Sequence, residues 1–136
     1  MPQVAINYVA VVVSALVLVA LGALWYAPPV FGNVWMQLIG KKPEDLQKGS
    51  PSRAYAMMFI SALVLSFALA HVLRWAGATT AVGGIKVALA LWIGFVLTTS
   101  AGSFIFEGRP AALYWLNNGY YGVGMILIGL ILTFWK

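Results

Sequence analysis

The sequence predicts an all-α membrane protein: four transmembrane helices in an antiparallel bundle, with a short interfacial helix between the first and second. Three observations carry that expectation. Four apolar stretches, Val4–Tyr26, Tyr55–Ala76, Val82–Phe106 and Leu113–Trp135, each reach the roughly 20 residues a helix needs to cross a bilayer. Hydrophobic residues make up 62% of the chain and charged ones 8%, too few to dress a water-soluble surface. The eight basic and three acidic residues fall mainly between the stretches.

The first span, residues 4–26, starts at Met1-Pro2-Gln3-Val4 without the basic residues of a secretory signal, so it reads as a retained membrane helix. It should end at Trp25-Tyr26-Ala27-Pro28-Pro29, because proline cannot donate a helical hydrogen bond and pushes the preceding residue out of helical geometry. Trp25 and Tyr26 then sit at headgroup depth, where amphipathic rings are most comfortable. Over residues 30–40, Phe31, Trp35, Leu38 and Ile39 recur at helical spacing on one side, which predicts a short helix lying in the interface and closed by Gly40. Residues 41–52 form the clearly aqueous stretch.

Ser52 is the expected cap of the second span, residues 55–76, which Gly77 ends after Arg74 and Trp75 mark the surface. The third span covers residues 82–106, Glu107-Gly108-Arg109-Pro110 turns the chain, and the fourth covers residues 113–135. Connections after the first are short, so consecutive helices should be neighbours. With little chain left over, residues 1–136 read as one integral membrane domain.

Small residues at four-residue spacing mark where helices are expected to touch: Ala62, Ser66 and Ala70 in the second span, and Ala90, Gly94, Thr98 and Gly102 in the third. In the fourth, Gly122 and Gly129 share a face. Loop charge sets the expected orientation. Lys41, Lys42, Lys48, Arg53 and Arg109 flank one side and Arg74, Lys86 and Lys136 the other, which by the positive-inside rule places both termini outside. The compact, loop-poor chain suits a bacterial inner membrane.

Composition excludes several chemistries. Without cysteine there are no disulfides, thiolate metal sites or cysteine nucleophiles. The net charge of +5 is scattered over helix ends and loops, so the expected counterion is anionic lipid in the bilayer, not nucleic acid. A hydrolytic triad would need His71, the single histidine, but Glu44, Asp45 and Glu107 belong to the other membrane face. The same separation argues against a metal centre. Six Trp, six Tyr and seven Phe fit an aromatic belt without any cofactor. The expected protein is therefore not an enzyme and carries no cofactor.

Counting crossings sorts the remaining polar residues into two sets. Tyr26, Trp35, Glu107, Arg109, Asn117, Asn118 and Tyr120 belong near the face of the long first connection, the first six of them either as a small pocket for a headgroup or solute or, the favoured reading, as a structural clamp. Asn7, His71, Arg74 and Lys86 belong to the opposite face, with His71 and Lys86 at similar depth, where a histidine beside an ammonium is one basis for proton-coupled behaviour. The bland alternative is that Lys86 snorkels to the surface and His71 donates to a backbone carbonyl.

The run Gly22-Ala23-Leu24-Trp25-Tyr26-Ala27-Pro28-Pro29-Val30-Phe31-Gly32 with Trp35 is followed by Gly77-Ala78-Thr79-Thr80 and by Gly94-Phe95-Val96-Leu97-Thr98-Thr99. Phe106-Glu107-Gly108-Arg109-Pro110 and Asn118-Gly119-Tyr120 complete the set. In order and spacing these pieces resemble bacterial domain-of-unknown-function family 1761 over nearly the whole chain. The resemblance implies a small four-helix membrane protein and supplies no activity, substrate or catalytic residues. Pro29 and Lys86 depart from the apolar residues usual there.

Two functions are expected to compete, ahead of a third, a membrane enzyme on lipid substrates that would have to use Glu107 with Tyr26 or Arg109. The first is a self-assembling or accessory subunit of a membrane complex, working through its small-residue faces. The alternative is an oligomeric transporter or channel in which Thr98, Thr99, Ser100, Ser103, Asn117 and Asn118 line a narrow polar route for an ion, small solute or lipid.

Overall fold

A computed structural model describes residues 3–41 and 50–136 of the chain. Among these residues every regular element is helical. Helix α1 spans Tyr8–Trp25, a π-type turn covers Pro28–Gly32, and α2 spans Asn33–Ile39. Helices α3 (Pro51–Trp75), α4 (Ala81–Phe106) and α5 (Ala111–Phe134) follow. The four long helices α1, α3, α4 and α5 are long and apolar enough to cross a membrane.

The helix ends differ from the sequence expectation in ways that capping explains. The first helix begins at Tyr8, not Val4, because the Asn7 side chain accepts a hydrogen bond from the Ala10 N–H at 3.1 Å and so closes the N-terminus there. Helix α3 begins at Pro51, four residues before the expected Tyr55. Ser50, not Ser52, is its cap, accepting from the Arg53 N–H at 3.3 Å, and Pro51 occupies the first helical position, where its missing N–H costs nothing. The expected aqueous stretch 41–52 thus loses its last residues to α3, and its residues 42–49 lie outside the described residues. Thr80 caps α4 through the Gly83 N–H at 3.1 Å.

The ends of α2 and α3 share one device. Gly40 and Gly77 both take a φ of 71°, a left-handed conformation that side chains disfavour. The next residue then reaches back, Lys41 to the Met36 carbonyl at 3.1 Å and Ala78 to the Leu73 carbonyl at 3.0 Å, which satisfies carbonyls left free at the helix end.

Helix α5 is the hub: it packs against α1, α3 and α4, while α1 lies along α3. Leu18, Leu69, Leu73, Ile128 and Leu132 fill the interior, and Ala10, Ala15, Ala62 and Ala70 let the backbones of α1 and α3 approach. Ser66 is fully enclosed in the same seam, so the ridge Ala62–Ser66–Ala70 faces inward. Gly122 and Gly129 also meet neighbours: a methyl group added to Gly122 would lie 2.9 Å from the Trp92 ring, and one on Gly129 would lie 3.4 Å from Ala88 Cβ.

The third-span ridge behaves differently. Ala90, Gly94 and Thr98 face away from the bundle, Gly102 is half-buried, and added methyl groups on Gly94 and Gly102 meet nothing within 4 Å. The inward face of α4 is Gly84, Ala88 and Trp92. This face runs at the same four-residue spacing, offset by two residues and hence on the other side of the helix. Only 11% of the most apolar stretch of α4 is buried, against 50% of that of α5.

Candidate functional site: a polar clamp at the knee

The chain bends sharply after α1, and the bend is built from backbone proximity. Pro28 and Pro29 start a wide turn in which the Gly32 N–H donates to the Ala27 carbonyl at 2.9 Å. A methyl group on Gly32 would lie 2.9 Å from that same carbonyl oxygen, so the turn requires glycine at this position. The turn lays Phe31 against Trp25, ring centres 4.8 Å apart, and brings Trp35 edge-on to Tyr26 at 5.4 Å.

This knee is tied to α5 by side chains distant in sequence. The Tyr26 hydroxyl donates to Asn117 Oδ1 at 2.7 Å, and the Trp25 indole N–H donates to the Leu116 carbonyl at 3.1 Å. One turn deeper, the Tyr120 hydroxyl donates back to the Leu18 carbonyl of α1 at 2.7 Å. Burial pushes the Tyr26 phenol, one residue beyond α1, above its ordinary value, and the neighbouring Tyr121 and Tyr120 phenols add to the shift. It therefore stays a neutral hydrogen-bond donor at physiological pH.

A second set of bonds ties α4 to α5 around Asn118, which is 4% exposed. The Trp92 indole N–H donates to the Asn118 carbonyl at 2.8 Å, and the Ser100 hydroxyl lies 3.2 Å from Asn118 Oδ1. In a regular helix with 3.6 residues per turn, Trp92 and Ser100 would point about 80° apart. Between them the helix widens into a π-type segment, Trp92–Leu97, and both side chains reach the same asparagine. The wider turn disturbs the backbone pattern, and hydroxyls repair it. Thr98 donates to the Gly94 carbonyl at 2.7 Å, Thr99 to the Phe95 carbonyl, Ser100 to the Val96 carbonyl at 2.7 Å, and Tyr114 of α5 to the Leu97 carbonyl at 2.7 Å.

Three cavities meet at Asn117. One of about 460 Å³ lies between α1 and α3, walled by Val19, Ala23 and Met58 and edged by Tyr26, Trp35 and Tyr120. A second of about 200 Å³ is lined by Ser100, Ser103, Arg109 and Asn118, and a third of about 460 Å³ by Trp35, Lys41 and Arg109. Arg109 pairs with Glu107 at 3.0 Å, and both side chains are more than half exposed.

The sequence-predicted residues therefore divide. Tyr26, Trp35, Asn117 and Arg109 share cavity walls, Asn118 lines the second cavity from the α4–α5 seam, and Glu107 stays outside, with Arg109 as its partner among the described residues. The His71 Nδ1–H donates to the Phe67 carbonyl, 2.8 Å away on its own helix, and the ring lies between Phe67 and Trp75. Lys86 is exposed, and no hydrogen bond among the described residues joins it to His71. His71 stands one turn before the α3–α4 connection and Glu107 just past the far end of α4, a helix of 26 residues and so about 39 Å long.

The knee, the glycine that makes it and the Asn118-Gly119-Tyr120 segment all lie within one stretch of matched sequence: residues 9–133 match the family described as protein of unknown function, DUF1761. The chain belongs to this family. Comparisons with curated proteins and with solved structures give no match. For a DUF1761 member the clamp is the feature best defined by geometry, and part of it escapes sequence reasoning. Trp25, Trp92 and Tyr114 look like belt or filler aromatics, and their partners are backbone carbonyls, which leave no trace in side-chain spacing; Tyr120 is placed at this face by counting crossings, but its carbonyl partner on α1 is not.

Proposed function

We propose that this protein is a non-enzymatic, self-assembling subunit of a membrane complex, with its four long helices crossing the bilayer as an antiparallel bundle and its third span docked on a second copy. The observation that carries the reading is the outward ridge Ala90–Gly94–Thr98 on the least buried of the four helices, with open space around Gly94 and Gly102. In lipid, apolar exposure drives nothing by itself, so helices associate where small residues let backbones come close. A two-fold axis along such a ridge sets it against itself, which makes a second copy the natural occupant. The internal hydrogen bonding of the clamp supports a scaffold more than a reaction centre. The excess of Lys and Arg beside the first and third connections supports both termini outside, and the compact chain a bacterial inner membrane.

The chain has no cysteine, so an Ala90→Cys variant tests the contact directly by disulfide cross-linking in membranes. The expected result is a cross-linked dimer that Gly94→Leu or Gly102→Leu abolishes, while Ile60→Cys on exposed α3 stays monomeric. A methyl group on either glycine meets nothing within 4 Å, so the leucine variants are expected to fold, which circular dichroism of each variant checks. Cross-linking indifferent to both leucine changes overturns the reading.

A second reading rests on the convergence of three cavities at Asn117: a headgroup or small solute held between Trp35, Lys41 and Arg109. Asn117→Leu then releases the bound molecule without affecting the Ala90→Cys cross-link. A polar conduction route along Thr98, Thr99 and Ser100 has less support, since these hydroxyls are engaged by carbonyls of their own helix.

A further inference from the structure

The clamp leaves two donors unused. Tyr26 occupies Asn117 Oδ1, so the N–H groups on Asn117 Nδ2 remain, and among the described residues they have no partner. The Trp25 and Trp92 indoles donate to carbonyls of α5 at 3.1 and 2.8 Å, whereas the Trp35 indole, edge-on to Tyr26, has no hydrogen-bond partner among the same residues. Both donors are open to approach. Trp35 and Asn117 are half-buried, and the polar side-chain atoms that are enclosed without a partner are Ser14 Oγ, Ser66 Oγ and Arg74 Nη1, which leaves accessible surface on both nitrogens.

Trp35 and Asn117 line the cavity of about 460 Å³ between α1 and α3, whose other walls are mainly Val19, Ala23, Ala54 and Met58. Ala23, Ala54 and Met58 are exposed, so the cavity opens at the surface of the bundle. Its size is that of a small-molecule site, and its make-up is that of an amphiphile's, with apolar walls and a few donors grouped around Tyr26. A clamp needs Asn117 Oδ1 alone, and leaving amide and indole N–H groups without acceptors in an apolar setting is costly. Both donors are neutral, so a neutral carbonyl oxygen answers them without bringing an uncompensated charge into the bilayer. The depth suits such a group. Asn117 is the seventh residue of α5, about 9 Å from its start, just below the headgroups in a bilayer whose hydrocarbon is about 30 Å thick and close to the level of the ester groups of lipids.

We propose that this cavity binds one acyl chain of a bilayer glycerolipid, with Asn117 Nδ2 and Trp35 Nε1 donating to its ester carbonyl and the chain lying against Val19, Ala23, Ala54 and Met58.

Native mass spectrometry of the detergent-purified protein tests it, with diacyl phosphatidylglycerol and its dialkyl ether analogue of equal chain length at equal concentration. The ether lacks the carbonyl and keeps everything else. Both lipids carry the same headgroup, so whatever Lys41 and Arg109 contribute cancels in the ratio, and a failed ester preference is distinguishable from a failed headgroup reading. Wild type should retain the ester in preference, by about fivefold for each hydrogen bond made. Trp35→Phe keeps a ring beside Tyr26 and should lower that preference about fivefold, and Asn117→Leu should also lower it. Ala54→Phe, which fills the cavity from its exposed side, should lower retention of both lipids, while Lys86→Gln at the opposite end should change neither retention nor ratio. If Asn117→Leu fails to fold because the Tyr26 bond is lost, Trp35→Phe and Ala54→Phe carry the test. Equal retention of the two linkages by wild type, a preference that the folded Trp35 and Asn117 variants leave intact, or retention indifferent to Ala54→Phe overturns the proposal.

Discussion

Replacing Gly122 with alanine adds one methyl group at a tight point of the α4–α5 seam, against the Trp92 ring. That methyl would lie 2.9 Å from Trp92 Cε2, 3.0 Å from Cζ2 and 3.2 Å from Nε1. The ring cannot simply swing aside, because its N–H is bonded to the Asn118 carbonyl at 2.8 Å. Overpacking of this kind costs about 1–3 kcal/mol. A weakened interhelical bond in a membrane protein adds about 1 kcal/mol. The better helix propensity of alanine returns roughly 0.5–1 kcal/mol. The net expectation is a loss of about 2 kcal/mol, or about a 30-fold rise in the unfolded population. Unfolding by sodium dodecyl sulfate in mixed micelles, followed by far-ultraviolet circular dichroism, measures it. Shrinking the ring with Trp92→Phe in the Gly122→Ala background should recover part of the loss, giving a coupling that a double-mutant cycle isolates. A Gly122→Ala protein as stable as wild type would refute the packing account.

Three further outcomes follow from the knee and the turn. Tyr26→Phe removes the donor to Asn117 Oδ1 and should cost about 1 kcal/mol in the same assay; an unchanged midpoint would count against the clamp. Because the folded-state phenol is raised above its ordinary 10.0, its contribution is intact below about pH 10 and falls as pH climbs through the folded value, so Tyr26→Phe should flatten the alkaline loss of stability. Glu107→Gln breaks an exposed ion pair and should cost under about 1 kcal/mol, with the difference vanishing in high salt; a larger, salt-insensitive loss would reveal a second partner for Glu107.

Much of the architecture was legible in the chain because membrane spanning is a local property. A run of apolar residues long enough for the bilayer declares itself without reference to any other segment, and Pro28-Pro29 with Gly32 announces the knee in the same way. The polar residues near it were also readable: amides entering a membrane helix need partners, and Asn117 and Asn118 have them in Tyr26 and Ser100. Helix starts were less so, since Ser50 and Ser52 are both reasonable caps and only the path of the backbone chooses between them.

By itself the sequence determined how many helices are long and apolar enough to span a bilayer, where they bend and which residues lie at the same end. Tertiary structure alone decided which side of each helix looks inward. On α4 both Gly84–Ala88 and Ala90–Gly94–Thr98 are ridges of small residues, and hydropathy cannot separate a lipid-facing side from a protein-facing one when both are apolar. The choice falls to Gly84 and Ala88 because α5 offers them the complementary Gly129, and a π-type segment between Trp92 and Leu97 then turns the rest of the helix toward Asn118. Such steric matches between distant segments have no signature in a single chain's composition or period.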